Sequence, residues 1–163
     1  MAGWEGETWL DVRQVSVLRP IMEARADLAK AKGAQAIEWD NIDVYLQEDS
    51  GYEGQITAAH QVAYVRMLAD ITHARGMAAV YKNLPELAGQ LEPYFDAAIA
   101  EQAYEFSEVD PYMVFPRNGK ALWVVEYRGS LDCADAARRG IFLARYPRDL
   151  DGPPVQACAG SVR

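Results

Sequence analysis

The residues best placed to do chemistry lie in Ala36-Ile-Glu-Trp-Asp-Asn-Ile-Asp-Val-Tyr45, where Glu38, Asp40 and Asp43 interrupt an apolar run. An ionised carboxylate buried without a partner costs on the order of several kcal/mol, so charges at the end of such a run need a use. The uses open to them are a catalytic site, a metal site, or a turn where a strand leaves the core. Similar polar endings recur at Lys82-Asn83, Glu101-Gln102 and Glu126-Tyr127. In parallel α/β sheets and barrels, functional groups gather at the carboxyl ends of strands, and repetition in successive units favours one shared polar pocket.

A carboxylate pair flanking a pocket is what glycoside hydrolysis requires. One group protonates the leaving oxygen, and the other attacks the sugar or activates water. Clustered Asp and Glu also suit Mg²⁺ or Ca²⁺, but Lys82 adds positive charge and weighs against a metal, and no cofactor is expected. Other chemistries find little support. His60 and His73 share no ligand spacing, Ser107 and Ser130 lack a GxSxG setting, and no P-loop or GxGxxG follows a strand. Trp4, Trp9, Trp39 and Trp123 could stack on sugar rings, although packing is the ordinary use of Trp39 and Trp123. Tyr127, at a strand end, is the better ligand candidate.

Five apolar segments must position these groups: AIEWDNI, MAAVYKN, DAAIAEQ, ALWVVEY and IFLARY. Within the first, alternation puts Glu38 and Asp40 on one face and Ile37 and Trp39 on the other. Helical patterns separate most of the five. Leu18, Ile21, Met22, Leu28 and Ala29 trace one helical face, which ends at Lys32-Gly33. Tyr64, Met67, Leu68 and Ile71 trace another, closed by Arg75-Gly76. Asn83-Leu-Pro-Glu86 reads as a helix start, with Asn83 as its cap. Gly3 to Arg13 reads as a loop with a short extended piece, and GPP from Gly152 with a loose tail to Arg163 marks the end of the fold. Alternating strands and helices imply right-handed crossovers and a parallel sheet in a single domain spanning residues 1–163.

The chain has 163 residues, half of them apolar and a quarter charged, enough for a sizeable core. Its net charge of −8 argues against nucleic acid and suits a cationic ligand, while also serving solubility. No apolar run reaches the roughly 20 residues of a membrane helix, and no signal segment is expected at MAGWEGETWL. Cys133 and Cys158 lie outside any CxxC pattern, which disfavours zinc and leaves both a disulfide and two free thiols open.

GAQAIEWDNIDVY, LADITHARGMAAVYKN, AIAEQAYEF and ALWVVEY, in that order, together resemble the endo-α-1,4-polygalactosaminidase family, glycoside hydrolase family 114. The family pattern is similar to E-P-D-N-x-D, H-x-x-G with a strand ending K-N, N-E-Q-C, and V-E-Y. WEGETWLDVR and ARYPRDLD also fit it. The resemblance implies a TIM-barrel hydrolase that cuts α-1,4-linked galactosamine polymers, with a parent protein that is secreted. Carried over by position, Asp40 and Glu101 are the catalytic pair, Asp40 as nucleophile or base and Glu101 as proton donor. Glu38, Asn41, Asp43, Lys82, Asn83, Gln102, Glu126 and Tyr127 then shape the site and hold sugar amines and hydroxyls. The implied substrate is a cationic galactosamine-containing polysaccharide, which an acidic cleft would attract.

Trp39 stands where the family has Pro, Ala100 where it has Asn, and Ala103 and Val109 where it often has Cys. Loss of Asn at position 100 is expected to remove an amide beside the acid. The family's first strands would precede Gly3, so the expected fold is a partial barrel of about five βα units. Such a chain is expected to be a fragment, to associate with a partner or itself, or to be a non-catalytic carbohydrate-binding remnant. A metal-dependent α/β enzyme is the remaining alternative.

Overall fold

The computed structural model describes residues 5–158, so Trp4 lies outside the described residues. The helices are α1 (Val15–Ala31), α2 (Ala58–His73), α3 (Ala88–Leu91), α4 (Val109–Tyr112), α5 (Val114–Arg117) and α6 (Cys133–Arg139). The strands are β1 (Ala36–Glu38), β2 (Ala78–Lys82), β3 (Ala97–Glu101), β4 (Ala121–Glu126), β5 (Phe142–Arg145) and β6 (Gln156–Ala157). The six form one mostly parallel sheet in chain order, an α/β fold of the partial TIM-barrel type. No helix among the described residues is long and apolar enough to cross a membrane.

The chain divides into two compact units. The first runs to Val80 and includes Pro93–Phe95; the second comprises Tyr81–Glu92 and the residues from Asp96 onward. In the first unit, α2 forms where sequence patterning places it. Thr57 caps it, accepting from the His60 backbone N–H at 3.3 Å, while His60 Nδ1 accepts from the Thr57 N–H at 3.2 Å. A capping box of this kind satisfies donors that a helix start otherwise leaves open. Tyr64, Met67, Leu68 and Ile71 are all buried. The helix ends before Gly76, whose φ of +65° a side chain would resist.

Helix α1 departs from expectation. It buries Leu18, Met22 and Ala26, while Ile21 and Leu28 are 50% and 57% exposed. The buried row is a narrow i, i+4, i+8 stripe, so residues one step around the helix face outward. Strand β1 pairs in parallel with β2, Ile37 opposite Ala79 and Glu38 opposite Val80.

In the second unit, β3 to β5 are parallel and in register, with Ile99, Trp123 and Phe142 in one row. Leu122, Val124 and Glu126 share the buried face of β4, while Trp123 and Val125 on the other face are only half-buried. Trp123 therefore lies on the less buried face of β4. Tyr81 and Phe115 pack with ring centroids 5.6 Å apart. After GPP, where the sequence suggests only a loose tail, Gln156–Ala157 form β6 and pair antiparallel with β5. Cys133 and Cys158 are joined in a disulfide, with Cα atoms 5.2 Å apart, tying α6 to the residue after β6.

Candidate active site

Asp40 lies two residues beyond β1, exposed, as is Glu38 at the strand end. Trp39 turns to the opposite side, and its indole N–H donates to Thr72 Oγ1 on α2 at 2.9 Å. That bond fixes which way the strand end faces, leaving both carboxylates on the other face. They border a cavity of about 420 Å³ whose lining includes Trp9, Arg25, Asn41 and Tyr64. Burial pushes the Tyr64 hydroxyl up to about 12, so it stays protonated as a donor. Arg25 and Tyr64 were not visible as site residues in the sequence, since they come from helices whose patterning reports only packing.

Asn41 follows in the left-handed region at φ +55°, between exposed Asp40 and buried Ile42. Asp43 accepts from Gln47 Nε2 at 2.6 Å and stands before the 3-10 turn Val44–Leu46. Its carboxylate thus braces the turn.

Glu101 ends β3 in very different surroundings. Its Oε2 lies 3.4 Å from Lys82 Nζ and accepts from Asn83 Nδ2 at 3.4 Å, while its Oε1 accepts a hydrogen bond from the Tyr127 hydroxyl. Asn83 Oδ1 accepts from the Glu101 backbone N–H at 2.9 Å. Lys82 is buried, its side chain 9% exposed against 27% for Glu101. Burying an ammonium is costly unless acceptors meet its N–H groups, and Glu101 Oε2 supplies one.

Asn83 does not cap the following helix. Asn83 and Leu84 both adopt positive φ, and a 3-10 turn starts only at Pro85, so the amide points back to β3. Ala100, where the family pattern has Asn, is fully buried and alternates to the face opposite Glu101. A side chain there would not stand beside the acid, so the expected loss does not arise. The amide comes instead from the strand before.

Gln102, at φ +57°, donates from Nε2 to Glu105 Oε2 at 2.8 Å, and Arg128 lies 3.4 Å from the other oxygen of Glu105. Glu126 is separated from Tyr127 by the alternation of β4 and is 3% exposed. It accepts from the Tyr104 backbone N–H at 3.0 Å and so clamps the loop after Glu101 from the buried face. Burial pushes its carboxyl up, opposed by the backbone N–H groups of Tyr104 and Glu105. The Tyr104 hydroxyl, itself pushed up by burial and by Asp135, donates to Asp135 at 2.9 Å.

Three strand ends thus pass through a left-handed non-glycine residue: Asn41, Asn83 and Gln102. Such conformations cost about 1–3 kcal/mol each and concentrate at functional sites. Among the described residues, no group of three or more His, Cys, Asp or Glu is placed to hold a metal ion.

A mostly parallel α/β sheet with polar side chains at its strand ends is an architecture of the TIM-barrel type. The chain belongs to glycoside-hydrolase family GH114, whose model matches residues 1–161, and it is by that membership a glycosidase. The solved structure of Aspergillus fumigatus Ega3 in complex with galactosamine matches with a TM-score of 0.83 at 25% identity, over 97% of this chain and 67% of that one. The glycoside hydrolase domain of PelA from Pseudomonas aeruginosa shares the fold, with a TM-score of 0.57 at 12% identity, over 94% of this chain and 70% of that one. No functionally curated protein matches the chain.

Proposed function

We propose that the protein is an endo-acting hydrolase of α-1,4-linked, galactosamine-rich polysaccharide, with Asp40 and Glu101 as its carboxylate pair. The observation that carries this reading is the setting of Glu101, a half-buried carboxylate at a strand end gripped by Lys82, Asn83 and Tyr127. Similarity to a structure that holds galactosamine supports the substrate class.

Glu101 acts as the proton donor. Lys82 and Asn83 Nδ2 can only donate, and both face Oε2. The Tyr127 hydroxyl at Oε1 can also accept, so a proton on Oε1 keeps a partner there until it passes to the leaving oxygen. Asp40, exposed at the end of β1, serves the anomeric carbon as nucleophile or as base for water. Glu38 and Asp40 offer negative charge to the sugar ammonium groups, in a chain whose net charge is −8.

Calorimetry against deacetylated and acetylated galactosamine polymers, with product analysis, tests this. The deacetylated polymer is expected to bind more tightly, to lose affinity as salt screens the attraction, and to be cut into oligosaccharides. Heat of binding without product after long incubation would instead support a carbohydrate-binding role.

A further inference from the structure

We infer that Asn83 is a positioning residue for Glu101 rather than a contact for the sugar, an inference that rests on the proposed role of Glu101. Three hydrogen bonds run from this one residue to the end of β3. Its backbone N–H donates to Ile99 O at 3.0 Å, its Oδ1 accepts the Glu101 N–H at 2.9 Å, and its Nδ2 donates to Glu101 Oε2 at 3.4 Å. A single amide therefore holds both the main chain and the carboxylate of the same residue. A glutamate has several rotamers to lose, and this grip removes freedom at both ends of its side chain.

The backbone is shaped to permit the grip. Asn83 at φ +50° is followed by Leu84 at φ +60°. Leucine disfavours this region by about 1–2 kcal/mol, and here Leu84 is 2% exposed while its carbonyl accepts from the Tyr81 hydroxyl at 2.8 Å. Packing and a buried hydrogen bond thus hold a turn that no local preference favours. The turn directs the Asn83 amide back onto β3 instead of into the following helix. Since position 100 faces the opposite side of β3, Asn83 is the residue that supplies an amide to the acid.

Asparagine, aspartate and glycine all tolerate positive φ, so Asn83→Gly and Asn83→Asp can change the side chain while keeping the turn. The test measures amide hydrogen exchange at Glu101 by NMR in the full chain, together with kinetics on deacetylated galactosamine polymer. In Asn83→Gly, exchange at Glu101 is expected to quicken at least about tenfold, with Leu122 and Val124 amides unchanged. In Asn83→Asp, which keeps an acceptor but loses the donor, exchange at Glu101 is expected to stay within about threefold of the unaltered chain. Both variants are expected to lose about 10–100-fold in kcat with KM changed by less than about threefold. Unchanged Glu101 exchange in Asn83→Gly, or a loss carried mainly by KM, would overturn the inference. If the unaltered chain releases no product, the hydrolase reading falls by itself, and exchange at Glu101 alone decides whether Asn83 holds it.

Discussion

The carboxyl ends of β1 and β3 meet their surroundings in contrasting ways. Asp40 and Glu38 are exposed at the border of a cavity, and the bond that orients them belongs to their neighbour Trp39. Glu101 is held directly, through a lysine, an amide and a phenol. Both ends pass through left-handed residues, so strain alone does not distinguish them. Exposure does, since Glu38 and Asp40 are exposed and Glu101 is half-buried. Two carboxylates in unlike environments can take unlike tasks, which is how acid and base are separated in many hydrolases.

The largest effects should come from removing either carboxylate. Asp40→Asn and Glu101→Gln are each expected to lower kcat/KM for galactosamine polymer by about 10³-fold, with binding by calorimetry within about threefold. Turnover near the unaltered rate in either variant would remove that residue from the pair. Next in size is the disulfide, which braces only the second unit. Replacing Cys133 and Cys158 by Ser is expected to cost about 3 kcal/mol in denaturant unfolding, and to raise exchange in α6 and β5 while α2 stays protected. Equal loosening of both units would blur the contrast.

Tyr127→Phe sharpens the contrast by removing one of the partners of Glu101. A loss of about tenfold in kcat is expected, about 1.4 kcal/mol of barrier, while Tyr64→Phe in the first unit should change kcat by less than about threefold. The smallest effect concerns Glu126. Its carboxyl sits above its ordinary value of 4.5 in the folded chain, so the fold binds that proton more tightly than the unfolded chain does. Its contribution is fully present below the ordinary value and is lost as pH rises through the raised one. Glu126→Gln keeps an acceptor for the Tyr104 N–H without the charge. It should raise the Tm at pH 7 and flatten the fall with rising pH, read from thermal unfolding across a pH series.

Much of this organisation was legible in the residues. Alternation in AIEWDNI separated Trp39 from Glu38 and Asp40, and the i, i+3, i+4, i+7 row of α2 marked the residues that are buried. The same alternation in ALWVVEY puts Glu126 with Leu122 and Val124, a signal that strand-end position alone obscured. Asn83 misled because Asn, Pro and Glu at that spacing describe a cap, whereas two successive left-handed residues divert the chain. That diversion depends on the burial of Leu84, which is a tertiary effect. The two residues of β6 carry no periodicity, and a disulfide needs a Cα separation that spacing along the chain does not give. Outward-facing Ile21 and Leu28 fit an apolar helical pattern as well as buried ones do.

The most direct measurement is the release of new reducing ends from deacetylated α-1,4-galactosamine polymer by the unaltered chain, followed beside Asp40→Asn and Glu101→Gln at equal concentration. Steady release of oligosaccharides by the unaltered chain, lost in both variants, is the predicted result. Binding of the polymer with no reducing ends from any of the three would contradict the account.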